Sequence, residues 1–273
     1  MYRISFWGSG NVAYQLSISL KAAGHQIPFI CGRNRESTEK LVHILNKRET
    51  HPLSNDEVTK STDDFNLLAD SDVVIMAVSD DSIEELAVKF SNAARNCAER
   101  PILLHTSGAS SINLLSTNSS YGVLYPLMTL SKIKPVDFKL VPFFIESSDQ
   151  EAEKVLVSIV ASLGAEYRIL NSHDRLKIHL AAVYVSNFVN YLIGLAFDLS
   201  KPSQTFLIPI AIETVRKAFL YEHPSLVQTG PAQRGDITTL RKHLELLNDL
   251  PEHREVYEFI SELIAKQSII NKK

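Results

Sequence analysis

The chain has 273 residues, 45% of them apolar and 22% charged, with 28 Lys and Arg against 31 Asp and Glu for a net charge of −3. That length and balance fit one large or two modest globular domains. Nothing in them suggests a nucleic-acid or acidic-membrane partner. Two cysteines, Cys31 and Cys97, allow at most one disulfide and fit a reducing compartment. No leader-like stretch precedes the first folding residues, so the expected location is cytoplasmic.

The opening stretch Arg3 to Trp7 reads as a strand that runs straight into Gly8-Ser9-Gly10-Asn11-Val12-Ala13, a G-x-G-x-x-A turn. A helix follows, with Val12, Leu16 and Leu20 at four-residue steps. This strand–turn–helix setting is what a dinucleotide fingerprint needs. Gly8 permits the tight turn, Gly10 lets a diphosphate approach the backbone, and Ala13 lets the helix pack on the strand. The helix N-terminus offers free N–H groups to phosphate. The second strand is read as Gln26 to Cys31, although Pro28 cannot donate to a ladder. Strand ends of this kind carry an acidic residue when they hold a free ribose 2′-OH. Here Arg33-Asn34-Arg35 stands instead. Guanidinium groups suit a 2′-phosphate, so the expected cofactor is NADP and not NAD.

A helix is expected over Ser37 to Asn46, a short third strand somewhere within Arg48 to Thr62, and a brief helix over Asp64 to Ala69. Asp72 to Val78 is a continuous apolar run, as in a parallel strand buried on both faces. Its carboxyl end, Val78-Ser79-Asp80, is a second cofactor-binding candidate and also a start for the helix Ile83 to Ala94. Further strands are expected at Pro101 to His105, ending in Thr106-Ser107-Gly108, then at Gly122 to Tyr125, Val141 to Glu146 and Ala165 to Ile169. A helix over Gln150 to Leu163 precedes the last of these. The alternation predicts a doubly wound, mostly parallel α/β sheet. Thr106 and Ser107 then lie along its carboxyl edge, with Tyr125-Pro126, where a nicotinamide would sit.

From Ser172 onward every segment reads as helix, including Phe206 to Tyr221, Asp236 to Leu247 and Arg254 to Lys266. The expected division is an α/β domain over 1–150 and an all-α domain over 151–273, with the change of pattern at 148–172. Ile178 to Phe197 is apolar on all sides, which predicts a buried central helix; a membrane span is the poorer reading, since the stretch carries His179, Ser186, Asn187 and Asn190. At about 100° per residue, His179, Ser186 and Asn190 fall within roughly 40° of one another, with Asn187 at the edge. Such groups face each other, another helix or a ligand. Imidazole titrates near neutral pH, so His179 is the candidate proton donor, with Ser186, Asn187 and Asn190 positioning a substrate. Arg234, in Thr229-Gly230-Pro231-Ala232-Gln233-Arg234-Gly235-Asp236, sits just before a helix capped by Asp236. A cation there is unfavourable unless an anion is near, which makes Arg234 a candidate carboxylate ligand. No metal site is expected.

The glycine turn, Ala77-Val78-Ser79-Asp80-Asp81 and His105-Thr106-Ser107-Gly108 resemble the pyrroline-5-carboxylate reductase and deazaflavin-dependent NADP oxidoreductase-like proteins. His179-Leu180-Ala181-Ala182-Val183-Tyr184-Val185-Ser186-Asn187 and the Thr229 to Asp236 loop resemble a bacterial branch of that group, within the 6-phosphogluconate dehydrogenase-like superfamily. The resemblance covers nearly the whole chain. It implies a Rossmann-like domain, a helical C-terminal domain, NADP as cofactor and a homodimer formed through the helical half. Dehydrogenases of the superfamily present a Lys with an Asn one turn later. Here His179 is followed by Val183, and Asn187 stands two turns on, so their mechanism does not transfer. Where pyrroline-5-carboxylate reductases carry a Ser/Thr-rich glycine loop, this chain has Arg234 and Asp236, so proline synthesis does not transfer either. The expected function is NADP(H)-dependent hydride transfer to or from a small carbonyl or imine. The alternatives are an NADP-binding sensor or scaffold without turnover, and electron exchange with a flavin or deazaflavin.

Overall fold

The computed structural model describes residues 1–47, 58–96, 100–221 and 223–270. The first part of the Arg48 to Thr62 segment (48–57) and Cys97 lie outside them. The chain forms two compact units, Met1–Ser186 and Asn187–Lys273.

The first unit carries β1 (Ile4–Trp7), α1 (Asn11–Ala22), β2 (Phe29–Cys31), α2 (Arg35–Lys47), β3 (Lys60–Thr62), β4 (Val73–Met76), α3 (Ile83–Ala93) and β5 (Ile102–His105). It continues with β6 (Tyr121–Pro126), β7 (Phe143–Ser147), α4 (Gln150–Ser162), β8 (Tyr167–Ile169) and α5 (Ser172–Val183). Among the described residues eight strands make one sheet in the order β3-β2-β1-β4-β5-β6-β7-β8. Every neighbouring pair is parallel except β6–β7. The doubly wound reading therefore holds. The order reverses between β1 and β4, and in such sheets ligands bind outside the strand carboxyl ends at that switch point. Pro28 sits just before β2, where its missing N–H costs nothing and its carbonyl accepts from Lys60 N–H at 2.9 Å.

Side chains of period two sort the core into two layers. Ile4, Phe6, Val73, Ile75 and Leu104 face α1, α2 and α4, while Trp7, Val74, Met76 and Leu103 face α3. Residues after 150 still belong to this unit, because β8 pairs with β7 and the α4 residues Leu156 and Ile159 pack on the sheet.

The second unit holds α6 (Val189–Leu199), α7 (Ile208–Leu220), the short α8 (Pro231–Arg234), α9 (Ile237–Leu246) and α10 (Pro251–Ile270). Tyr191 donates to Glu252 at 2.5 Å, and His243 meets the Tyr257 hydroxyl at 2.7 Å. Asp236 caps α9 as expected, accepting from Thr239 N–H at 3.1 Å. Those Thr239 bonds hold its carboxyl below the usual range.

One expectation fails. The apolar helix is continuous over Ser172–Leu199, with a π-helical turn at Tyr184–Phe188, but it is not buried. In α5 and α6 only Arg175 is buried, and the stretch is long and apolar enough by composition to cross a membrane. Apolarity read along a sequence shows that a face needs cover, not that the same chain supplies it.

Arg175 is the largest fully buried side chain. Its guanidinium pairs with Glu146 at the end of β7, donates to the Ser110 carbonyl, and approaches Ser172 Oγ at 3.3 Å. Ser172 Oγ donates to Glu146 at 2.8 Å and accepts from Ile112 N–H at 3.0 Å. Removing one partner of a buried pair leaves an uncompensated charge. Arg175→Met is expected to lower unfolding free energy by about 3–5 kcal/mol in urea titrations; a loss below ~1 kcal/mol would show the pair is dispensable. Nearby, burial and then the Arg175 charge push the His105 imidazole down to about 3. The folded protein thus keeps His105 neutral while the unfolded chain protonates it below about 6.5. Stability should fall as pH drops from about 6.5 toward 3, by at most ~1.4 kcal/mol per unit from this residue. His105→Asn should flatten that slope in unfolding curves taken across the interval.

Candidate functional site

The glycine turn joins β1 to α1 at the switch point. Gly8 has φ +125°, and a Cβ there would stand 2.1 Å from the Ala77 carbonyl oxygen, so only glycine lets β1 and β4 leave the sheet side by side. Gly8 N–H donates to the Cys31 carbonyl at 2.6 Å, which ties the turn to the end of β2. Above Gly10 there is open space: no heavy atom lies within 4 Å of where its Cβ would be. Asn11 and Val12 begin α1 with no side-chain cap from Gly10, and Ala13 is fully buried against the sheet. Free N–H groups beneath open space fit a diphosphate.

Beside the turn lies a cleft of about 370 Å³ lined by Trp7, Gly8, Gly32, Arg33, Phe65 and Val78 among others. Trp7 stacks on Phe65 at 5.5 Å between ring centroids. Asn34 caps α2, accepting from Ser37 N–H at 2.8 Å. Arg35 turns along α2 to Glu39 at 2.7 Å, which raises its already high pKa; Arg33 lines the cleft. Ser79 and Asp80 are exposed at the end of β4, with the Ser79 hydroxyl 2.8 Å from that of Ser82. The expected cofactor residues of β1, β2 and β4 thus gather on one half of the carboxyl edge.

The other half follows β5 and β6. Ser107 N–H donates to His105 Nδ1 at 3.1 Å, and Ser107 Oγ accepts from Ala109 and Ser110 N–H at 3.1 and 2.9 Å. Ser107 therefore shapes the loop, with its hydroxyl oxygen spent on backbone; Thr106 beside it is half-buried. His179, one turn beyond Arg175 on the same face of α5, comes down on this loop. Its Nδ1 lies 3.1 Å from the Tyr125 hydroxyl, with the rings edge to face at 5.9 Å. A Cβ on Gly108 would stand 2.6 Å from both His179 Nδ1 and the Tyr125 ring. Burial pushes the Tyr125 phenol up, so it keeps its proton. Ser186 meets Thr129 Oγ1 at 3.0 Å.

The sequence stripe is thus divided. His179 and Ser186 lie in the α/β unit on residues of β6 and the chain just after it, whereas Asn187, Asn190 and Arg234 are exposed residues of the helical unit. Sequence reasoning named Tyr125 only as a neighbour of the nicotinamide and missed Arg175 and Glu146 altogether. Nothing in the local sequence singled out that pair, because Arg175 stands among the other charged residues that open α5, Asp174 and Lys177.

Residues 3–98 match the family described as NADP oxidoreductase, coenzyme F420-dependent, and residues 141–264 match a domain of unknown function. No curated protein matches the chain. A Bacteroides fragilis crystal structure described as a "putative NADP oxidoreductase" is 30% identical, over 97% of this chain and 98% of that one, with a TM-score of 0.83. A Thermotoga maritima protein is similar in fold at 19% identity and TM-score 0.64, covering 99% and 100% of the two chains. The Plasmodium falciparum pyrroline carboxylate reductase, solved with NADP bound, shares the fold at 13% identity and TM-score 0.53, over 97% and 98%. Identity sustained end to end with the Bacteroides protein, on top of the glycine turn and its Arg-flanked second strand, means that this chain belongs to the NADP oxidoreductase family.

Proposed function

We propose that this NADP-dependent oxidoreductase acts on a small carbonyl or imine substrate, with His179 as its proton donor and acceptor. The observation that carries the reading is the His179–Tyr125 contact against Gly108, at the carboxyl edge of β5 and β6. Gly8, Ser9, Gly10, Asn11 and Val12 would hold the diphosphate of NADP, Arg33, Asn34 and Arg35 its adenosine end, and Val78, Ser79, Asp80, Thr106 and Ser107 the edge between. The bound dinucleotide supplies or takes up the hydride. The chain itself must move a proton. Tyr125 occupies Nδ1 of His179 in either protonation state of the ring, which leaves Nε2 to exchange a proton with the substrate oxygen or nitrogen. Thr129 holds the Ser186 hydroxyl, which supports a positioning role for Ser186.

Exposure in the helical unit supports a homodimer. Tyr191, Ile193 and Phe197 on α6 and Ile210, Ile212 and Phe219 on α7 are 46–69% exposed. Monomers rarely show contiguous apolar surface of this kind, and a stable interface needs about 1,600 Å² in total. A second copy of the chain, which brings the same apolar helices, is the partner that fits. Sedimentation should give twice the chain mass, and Ile193→Asp with Phe197→Asp should give a folded monomer; a wild-type monomer in solution would refute the dimer.

The reaction is tested by following NADPH absorbance with a panel of 2-oxo acids and cyclic imines. At least one should be reduced, and His179→Gln should lower kcat about 10²–10⁴-fold with NADPH affinity unchanged. Unchanged kcat would remove the donor role. Tight NADPH binding with no oxidation by any substrate would favour a sensor or scaffold.

A further inference from the structure

The chain between β6 and β7 (residues 127–142) lies against the cofactor half of the edge, and one buried side chain fixes it there. Gln15 of α1 uses its whole carboxamide on this segment. Nε2 donates to the carbonyls of Ser131 and, at 2.8 Å, Lys134, and Oε1 accepts from Val136 N–H at 3.3 Å. The residue held between, Lys132, reaches across to the glycine turn. Its Nζ donates to the Ser9 carbonyl and to Ser37 Oγ, both at 2.8 Å, and stands 5.9 Å from the centroid of the Tyr14 ring. Ser37 Oγ in turn donates to the Ser9 carbonyl at 3.0 Å.

A cation is therefore set where the β1–α1 turn meets the first turn of α2. Both of its hydrogen-bond partners are neutral oxygens, and an ammonium has a third N–H to give. Arg35, the cation nearest in sequence, is engaged by Glu39 instead. The end of β2 and the start of α2 are where a doubly wound sheet receives the adenosine ribose. We propose that Lys132 is a specificity-determining residue whose ammonium binds the 2′-phosphate of NADP, together with Arg33. Ser37 and Gln15 position it. This rests on NADP being the cofactor, as in the reading above.

The full-length protein is titrated with NADPH and with NADH, for wild type, Lys132→Gln and Lys132→Arg. A charge-assisted bond to phosphate predicts at least a ~10-fold weaker NADPH affinity in Lys132→Gln, less than ~2-fold change for NADH, and recovery in Lys132→Arg. The 2′-phosphate gains its second charge near pH 6, so wild-type preference for NADPH should rise between pH 5 and 7 and do so less in Lys132→Gln. Unchanged NADPH affinity in Lys132→Gln overturns the proposal. So does an equal loss for both nucleotides, which would place Lys132 on the diphosphate or make it a brace for the loop. Failure of wild type to bind NADPH at all would sink the cofactor reading itself, an outcome distinct from either.

Discussion

The buried guanidinium of Arg175 is the constraint on which the arrangement depends. Taking a charge out of water costs several kcal/mol, and only close opposite charge and full hydrogen bonding offset it. Glu146, the Ser110 carbonyl and Ser172 supply both, and they come from β7, from the loop after β5 and from the start of α5. Satisfying one ion therefore fastens three remote segments together. It sets the direction in which α5 leaves the sheet, and so where His179 falls one turn later. The same charge and the same burial keep His105 neutral, and a neutral His105 is what can accept the Ser107 N–H at Nδ1. The loop under His179 and the helix above it are thus held by one electrostatic decision.

Two glycines let backbone and side chains approach more closely than a Cβ allows, and they mark the two halves of the carboxyl edge. At Gly8 the approach is strand to strand, which opens the turn above Gly10 for phosphate. At Gly108 it is loop to imidazole, which brings His179 and Tyr125 onto the end of β5. The first glycine gathers the ends of β1, β2 and β4, and the second gathers the ends of β5 and β6. A parallel sheet with its switch point between β1 and β4 puts both on the same rim without requiring neighbours in sequence.

What could be read before the structure was local. The turn from Gly8 to Ala13, the apolar run Asp72 to Val78, and the cap at Asp236 each state their structure within a dozen residues, because backbone sterics and periodicity act over that range. The third strand was expected only as somewhere in a polar stretch, since Lys60–Thr62 has no apolar signal and is a strand because β2 offers it an edge. Arg175 with Glu146, Gln15 with Ser131, Lys134 and Val136, and Lys132 with Ser9 were not legible. Each joins residues between about thirty and more than a hundred positions apart, and nothing in either local segment points to the other.

The polar stripe on the long helix shows how a local argument meets a boundary that the sequence does not mark. A uniform 100° wheel assumes α-helical winding throughout, but Tyr184–Phe188 is a π turn, which takes more residues per turn than the wheel allows. The premise that every polar group on the helix must find a partner holds for the residues of the α/β unit. His179 and Ser186 are met there by Tyr125 and Thr129, four residues apart on the chain leaving β6. Asn187 and Asn190 lie past the division at Ser186, exposed, and a solvated carboxamide needs no protein partner. The cost of desolvation applies to the first pair as the chain stands. It reaches the second pair only when another surface covers α6, and the apolar side chains around those asparagines are what would bring such a surface.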